Sequence, residues 1–265
     1  MPAEANEAAP ADWPLTLARV YEFATTAPLE EISFILEAAR MNRQVAEEGL
    51  SSQYGLGVGK SMDARVRKHI LSDDLPTFAI RLTAAAADAR MAGVMMPVMS
   101  NSGSGNQGIT ASVPVAIYAQ AMGIGRERLL RAVALADLVT VHQKAGIGCL
   151  SAFCGATCAG CGAGAGIAYL LGGDYKAVAH TIVNALAVVS GMVCDGAKPS
   201  CAAKISSAID AGILGYELYC RGQEFLDGDG IIRKGVDNTI GNVGRMARSG
   251  MRETDRVILD IMCGC

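Results

Sequence analysis

Residues 149 to 166 read Cys149-Leu-Ser-Ala-Phe-Cys154-Gly-Ala-Thr-Cys158-Ala-Gly-Cys161-Gly-Ala-Gly-Ala-Gly166. Four of the nine cysteines of the chain lie in this stretch, within 13 residues, on a background of glycine and alanine. Such small residues let other backbone segments or an inorganic centre approach closely. Two more cysteines follow in Gly191-Met-Val-Cys194-Asp-Gly-Ala-Lys-Pro-Ser-Cys201. If the protein performs sulfur chemistry, we expect it in these two stretches.

The composition predicts closely packed helices. Of 265 residues, 51% are hydrophobic, 18% are charged and only 5% are aromatic, which is enough for a sizeable core with small contact residues. The net charge of -3 argues against nucleic acid or an anionic membrane surface as a partner. No uninterrupted apolar run reaches the roughly 18 residues of a membrane span, and the acidic N-terminus lacks an export signal. The expected location is the cytoplasm.

The cysteine spacing allows several interpretations. In a reducing compartment, clustered cysteines mark a metal or catalytic site more often than disulfides. Cys154, Cys158 and Cys161 would share one face of a helix. Their spacing matches the cluster loop of radical S-adenosylmethionine enzymes, but the βα barrel pattern of those enzymes is missing, and a zinc site would need paired Cys-x2-Cys knuckles. The simpler alternative is a small buried hydrophobe, which we expect for Cys158, Cys161, Cys220, Cys263 and Cys265.

The chain predicts a single multi-helix domain of the all-α class, with Gly/Ala/Cys-rich central helices. Residues 1–13 predict a disordered linker, and residues 14–265 predict about nine helices without a strand pattern. The clearest helical periods cover residues 29–48, 77–91, 109–122, 126–141, 151–171, 175–192 and 202–220, and residues 51–60 predict a loop. Within the helix at 77–91, Arg81, Asp88 and Arg90 are expected to form internal ion pairs.

A loop of small polar residues precedes the predicted helix at 109–122. It reads Ser100-Asn-Ser-Gly-Ser-Gly-Asn-Gln107 and would present hydroxyls and free backbone N–H groups at a helix N-terminus. Such an arrangement suits a carboxylate or a phosphate. A P-loop is excluded because no Gly-Lys-Ser/Thr follows. An elaborate helix cap is the simpler alternative.

Three motifs carry a family resemblance. Residues 100–114, residues 144–154, which begin Lys144-Ala-Gly-Ile-Gly, and residues 190–198 resemble the L-cysteine desulfidase family. That family is related to the iron-sulfur L-serine dehydratases, and the match is to its helical, alpha-type domain, from about residue 21 to residue 262. The sequence Gly-Asn-Gln-Gly-Ile-Thr-Ala resembles the desulfidase branch more than the serine dehydratase branch.

The resemblance implies a 4Fe-4S cluster held by three cysteines, two of them 40 residues apart in this domain. Cys154 and Cys194 match that arrangement. The third ligand of the family belongs to a Gly-Cys-Thr-Glu-Pro motif in an N-terminal domain, and this chain has no such motif. We therefore expect that domain to be absent from this chain. Either a separate N-terminal or beta-type domain supplies the ligand, or the chain is a fragment of a longer protein, or Cys201 replaces the missing ligand.

The implied reaction eliminates sulfide from L-cysteine to give pyruvate and ammonia, with L-serine dehydration as a close variant. A cluster held by three thiolates keeps one iron open as a Lewis acid for the leaving thiol, and no pyridoxal phosphate is needed. The implied catalytic candidates are Lys144, Asp195 and Lys198, and His142 is either a base or a structural residue. The implied substrate-binding set is Ser100, Asn101, Ser102, Gly103, Ser104, Gly105, Asn106 and Gln107.

Each of these candidates has a simpler interpretation. Lys144 would otherwise be a solvated lysine at a helix end, and Asp195 and Lys198 would otherwise pair with each other. The competing hypothesis for the whole chain is a catalytically incomplete helical domain that needs a partner domain. The apolar helices and small-residue faces also predict a homo-oligomer.

Overall fold

The structure is a computed structural model, and it describes residues 15–148 and 151–264. Every regular element in these ranges is a helix, and no strand is present there, which confirms the all-α class. The predicted linker at residues 1–13 lies outside the described residues. The helices are α1 Leu17–Thr26, α2 Leu29–Ile32, α3 Ile35–Ser51, α4 Val58–Arg67, α5 Leu75–Met91, α6 Gly105–Ala121, α7 Arg126–Ile147, α8 Gly155–Leu170, α9 Tyr175–Val189, α10 Cys201–Cys220, α11 Val236–Arg245 and α12 Arg252–Cys263, with a π-helical turn at Met246–Gly250. None of them is long and apolar enough to cross a membrane.

Several boundaries differ from the prediction. The described part holds twelve α-helices rather than about nine, since the predicted helix at 29–48 is broken between α2 and α3, and α4 begins inside the predicted loop at 51–60. The helix α6 begins at Gly105 rather than at residue 109, because the Ser104 hydroxyl caps it by accepting a hydrogen bond from Gln107 N at 3.4 Å. The helix α7 continues to Ile147 and ends before Gly148, which has a φ of 101°.

The helix α8 lies at the centre of the fold, in contact with α6, α7, α9 and α10. Its glycines are contact points: a Cβ on Gly160 would lie 2.3 Å from the carbonyl oxygen of Ala208, and one on Gly164 would lie 2.5 Å from that of Gly212. On another face, a Cβ on Gly162 would lie 2.4 Å from the Ala136 carbonyl oxygen of α7. The Gly/Ala-rich composition therefore allows the helix axes to approach more closely than larger side chains would.

The cysteines of α8 divide between structure and site. Cys158 and Cys161 are completely buried in an apolar cluster with residues such as Leu135 and Ile182, as the small-hydrophobe interpretation predicts. Burial raises the pKa of Cys158 to about 12, so its thiol stays neutral. The same prediction is wrong for Cys220 and Cys263, which are exposed. Cys265 lies outside the described residues.

Candidate active site

Two short segments bring Cys154 and Cys194 side by side. The Cys154 backbone N–H donates to Met192 O at 3.0 Å, and the Cys194 N–H donates to Ala152 O at 2.6 Å. These bonds form an isolated antiparallel bridge centred on Phe153 and Val193. Cys154 immediately precedes α8, so its thiol does not lie on the helical face that carries Cys158 and Cys161. The two thiols that the sequence places 40 residues apart are thus hydrogen-bonded to each other.

The paired thiols have opposite tendencies to ionise. The hydrogen bond from Cys154 lowers the pKa of Cys194 to about 6, although burial acts in the opposite direction. The same hydrogen bond, together with burial, raises the pKa of Cys154 above its usual value. Backbone N–H donation from Gly196 and the charge of Lys204 also favour the Cys194 thiolate. Cys194 is therefore the more acidic thiol of the pair.

Charged side chains surround the thiol pair on its outer side. Lys204 of α10 donates to Val193 O at 2.9 Å and forms an ion pair with Asp195. Asp195 also pairs with Lys198 at 2.5 Å, and these two lysines lower the pKa of Asp195 to about 2. Sequence reasoning missed Lys204. The available signal was its position, three residues after Cys201 on the same helix and therefore on a similar face.

The third predicted ligand, Cys201, lies apart from the pair at the start of α10. Its thiol donates to Gly196 O at 3.7 Å and accepts from the Lys198 N–H at 3.5 Å. In the described part of the chain, no three His, Cys, Asp or Glu side chains are placed to hold a metal ion together. The assignment of all three cysteines as cluster ligands therefore remains a prediction, with two of the three in contact.

One cavity of about 330 Å³ gathers most of the predicted site. It lies at the end of the helix bundle where α5 and α7 end and where α6, α8 and α10 begin. Nine of the predicted residues line it: Ser102, Gly103, Ser104, Asn106, Gln107, Lys144, Cys154, Cys194 and Cys201. The lining also contains Arg90 and Lys204, which the sequence analysis did not assign to a site.

Five predicted residues do not line this cavity. Ser100 is exposed, and Gly105 lies beneath the Arg90 side chain. Asn101 points away and donates from Nδ2 to Asp137 Oδ1 at 2.9 Å. Asp195 and Lys198 pair with each other, as their simpler interpretation predicts. Another cavity, of about 360 Å³, lies between α9 and residues 224–236 and is lined by none of the predicted site residues.

The loop before α6 is held in one conformation. The backbones of Asn101 and Ser104 exchange hydrogen bonds of 3.1 and 3.0 Å, and Ser102 and Gly103 between them have left-handed φ values of 49° and 78°. The buried Asn42 amide fixes the chain just before the loop, since it donates to Met99 O at 3.2 Å and accepts from Met99 N at 3.0 Å. The N-terminus of α6 therefore faces the cavity with its backbone N–H groups in a fixed arrangement.

Lys144 occupies the last turn of α7 and is only 9% exposed. Lys144 lines the cavity, and its ammonium group has no hydrogen-bond or ion-pair partner within residues 15–148 and 151–264. This position disagrees with the interpretation of Lys144 as a solvated helix-end lysine. His142, two residues earlier, instead contacts Asp237 of α11 at 2.7 Å, which is consistent with a structural role.

The chain is similar in sequence to known proteins along most of its length. The serine dehydratase alpha chain family matches residues 5–260. A UPF0597 protein of Desulfitobacterium hafniense is 51% identical over 249 residues, which cover 94% of this chain and 57% of that protein. A UPF0597 protein of Oleidesulfovibrio alaskensis is 50% identical over 250 residues, and one of Bacteroides fragilis is 46% identical over 253. These alignments cover 58% and 59% of the two relatives and 94% and 95% of this chain.

The curated relatives are longer than this chain. The chain spans less than three-fifths of the length of these curated relatives. No solved structure matches the chain.

Proposed function

The chain belongs to the serine dehydratase alpha chain family, and from this membership we propose that it forms the substrate cavity of an iron-sulfur lyase that eliminates sulfide from L-cysteine. The observation that carries the proposal is the Cys154–Cys194 pair in the wall of a cavity that also contains a helix N-terminus and an unpaired lysine. A thiol pair that shares a cavity with an anion-binding helix end fits a small substrate with both a carboxylate and a leaving group.

The donor set fits two ligands of an iron-sulfur cluster. Thiolates are the ligands that such clusters use, and the hydrogen bond from Cys154 and the charge of Lys204 lower the pKa of Cys194. The third ligand is either Cys201, which lines the same cavity, or a thiol from the part that this chain does not share with its relatives. A bound cluster with three thiolate ligands supplies an open iron site as a Lewis acid for the sulfur of the substrate.

The chain's own residues supply binding and charge stabilisation. The N–H groups at the start of α6 bind the α-carboxylate, where the helix dipole favours an anion. Loss of the α-proton places negative charge next to that carboxylate, and the buried ammonium of Lys144 stabilises it. The sulfur then leaves as hydrogen sulfide, and the remaining aminoacrylate reacts with one water molecule to give pyruvate and ammonia.

The test is anaerobic iron-sulfide reconstitution of the chain, followed by iron and acid-labile sulfide counts and a sulfide-release assay with L-cysteine. We expect about four irons per chain, and the count should fall in Cys154→Ala and in Cys194→Ala. Cys220→Ala is the matched control, because Cys220 is an exposed thiol on α10 and does not line the cavity. Equal losses in all three variants would refute the cluster proposal, and so would an absence of iron binding that persists when the N-terminal domain is supplied separately.

A fourth variant and a second substrate separate the remaining alternatives. If Cys201→Ala keeps the iron count of the parent chain, then the third ligand comes from outside this chain. If iron binds but sulfide is not released, a separately supplied N-terminal domain should restore turnover. L-serine tested in parallel distinguishes sulfide elimination from dehydration, since the same cavity would accept a hydroxyl in place of the thiol.

A further inference from the structure

Arg90 is a cation that faces the cavity without a counter-charge. It lies in the last turn of α5, where the sequence predicts an internal ion pair. The structure shows a different arrangement: Arg81 pairs with Asp63 and Asp73, at 3.1 and 3.2 Å, and Asp88 accepts from the Gly59 N–H. Arg90 itself has no ion-pair or hydrogen-bond partner in the described part of the chain.

The Arg90 side chain lies directly across the N-terminus of α6. A Cβ on Gly105, the first residue of α6, would lie 2.4 Å from Arg90 Nε and 3.1 Å from Arg90 Cζ. Glycine at position 105 therefore provides the space that the guanidinium group occupies. Two positive features, the guanidinium and the helix N-terminus, lie against each other, which is favourable when an anion binds between them.

Two buried acceptors in the same helix turn have no donor. Gln107 is 6% exposed, and its Oε1 atom has no hydrogen-bond partner in the described residues; the same is true of Asn106 Oδ1. A buried acceptor of this kind calls for an explanation, and a bound hydrogen-bond donor is one. The Gln107 amide lies against Gly155, the residue after Cys154, where an added Cβ would be 2.6 Å from its Cδ atom.

From these contacts we propose that the cavity binds an α-amino acid as a zwitterion: Arg90 and the N-terminus of α6 hold the α-carboxylate, and Gln107 Oε1 accepts a hydrogen bond from the α-ammonium. Lys144, 9% exposed and also unpaired, adds a second cation to the carboxylate side. The inference rests on the function proposed for this cavity and assigns Arg90 and Gln107 as specificity residues. A ligand that lacks either charged group should bind less tightly.

Equilibrium binding tests this assignment independently of turnover. Isothermal titration calorimetry on the full chain, under anaerobic reducing conditions, compares L-cysteine with cysteamine, which lacks the carboxylate, and 3-mercaptopropionate, which lacks the ammonium. Arg90→Met should weaken L-cysteine and 3-mercaptopropionate by about 10- to 100-fold, the range for a lost charge-assisted hydrogen bond, and should leave cysteamine nearly unchanged. Gln107→Met should weaken L-cysteine and cysteamine but not 3-mercaptopropionate.

Two further variants guard against misfolding. Gly105→Ala keeps the arginine but forces its guanidinium away, and it should reproduce the ligand selectivity of Arg90→Met. Arg126→Met is the matched control, because Arg126 is exposed at the first position of α7, about 27 Å along that helix from Lys144. Circular dichroism of each variant confirms that the helical content is retained.

The outcomes separate this inference from the lyase proposal. Equal weakening of all three ligands in Arg90→Met, or wild-type affinities that do not differ between the ligands, would overturn the assignment. Carboxylate-dependent binding without sulfide release, even when the N-terminal domain is supplied separately, would support the assignment and count against the lyase. Sulfide release with an unchanged KM in Arg90→Met would support the lyase and overturn the role of Arg90.

Discussion

Replacing Asp137 by asparagine should remove the pH-dependent free-energy penalty that a buried carboxylate imposes on the folded state. Asp137 lies on α7, and its Oδ1 accepts the Nδ2 hydrogen bond of Asn101 at 2.9 Å, so it anchors the loop that precedes α6. Burial raises the pKa of Asp137 from 3.8 to about 6, although the hydrogen bond from Asn101 acts in the opposite direction. An asparagine of nearly the same shape can keep a hydrogen bond to Asn101 but carries no charge.

The sign and the magnitude follow from proton linkage. Because the pKa of Asp137 is higher in the folded than in the unfolded state, the folded state binds more protons between about pH 4 and pH 6. The stability that this carboxyl contributes is complete below about pH 4 and is lost as the pH rises through 6. The difference of about two pKa units corresponds to about 3 kcal/mol. Since part of the Asp137 surface still reaches solvent, we expect about 1 to 3 kcal/mol.

Urea unfolding of the parent chain and of Asp137→Asn between pH 4 and pH 8 measures this effect. The free energies of unfolding should be nearly equal at pH 4, and the variant should be the more stable by about 1 to 3 kcal/mol at pH 8. Asp210→Asn, at an exposed position on α10, is the control for the loss of one carboxylate charge. A constant advantage of Asp137→Asn across the range, or one that disappears toward pH 8, would refute the reasoning.

Further predictions concern helix packing and the loop. Gly160→Val should lower the free energy of unfolding by about 2 kcal/mol or more, because its Cβ would meet the Ala208 carbonyl oxygen at 2.3 Å; an unchanged urea midpoint would contradict this. Gly241→Ala, in α11 with no atom within 4 Å of the new Cβ, should instead raise the free energy of unfolding by about 0.5 to 1 kcal/mol. Asn42→Ala should cost about 1 to 3 kcal/mol, because it removes the three hydrogen bonds by which the buried Asn42 amide holds the Met99 backbone and the Ser112 hydroxyl. Amide hydrogen exchange at Met99 should then accelerate.

The sequence predicts the helices well because their apolar positions repeat at the helical period, but local chemistry decides where they end. The Ser104 cap starts α6 at Gly105, four residues before the apolar run at Ile109 suggests. Because glycine has a low helix propensity, a prediction from the residue pattern makes the loop before α6 too long. The same correction matters for the site, because it turns Asn106 and Gln107 from loop residues into first-turn residues with fixed directions.

The pairing of Cys154 with Cys194 came from the family resemblance, and the residue spacing alone would have misplaced it. Spacing put Cys154 on one helical face with Cys158 and Cys161, whereas Cys154 precedes α8 and its thiol contacts Cys194. The contact depends on the antiparallel bridge between Phe153 and Val193, a pairing of distant segments that no local pattern reveals.

For one physical reason, the local pattern gave Arg90 no site role and left Lys144, a candidate from the family resemblance, open to the interpretation of a solvated lysine. Both stand in the last turn of a helix, where a cation is favoured by the helix dipole whether or not a ligand is present. Their importance is visible only in three dimensions, where α5 and α7 end at the same cavity and neither side chain has a counter-charge in the described residues.

The glycines of α8 connect this cavity to the stability of the fold. The helices α7 and α10 bring Lys144 and Cys201 to the cavity, and both lie against α8 at carbonyl contacts that only glycine permits, at Gly162 and Gly160. The distance between these helices therefore sets how far the cation and the third thiol lie from Cys154 at the start of α8. A cluster and an amino acid each require fixed distances between their ligands. The close packing encoded by the Gly/Ala-rich stretch is thus a requirement of the proposed chemistry as well as of the core.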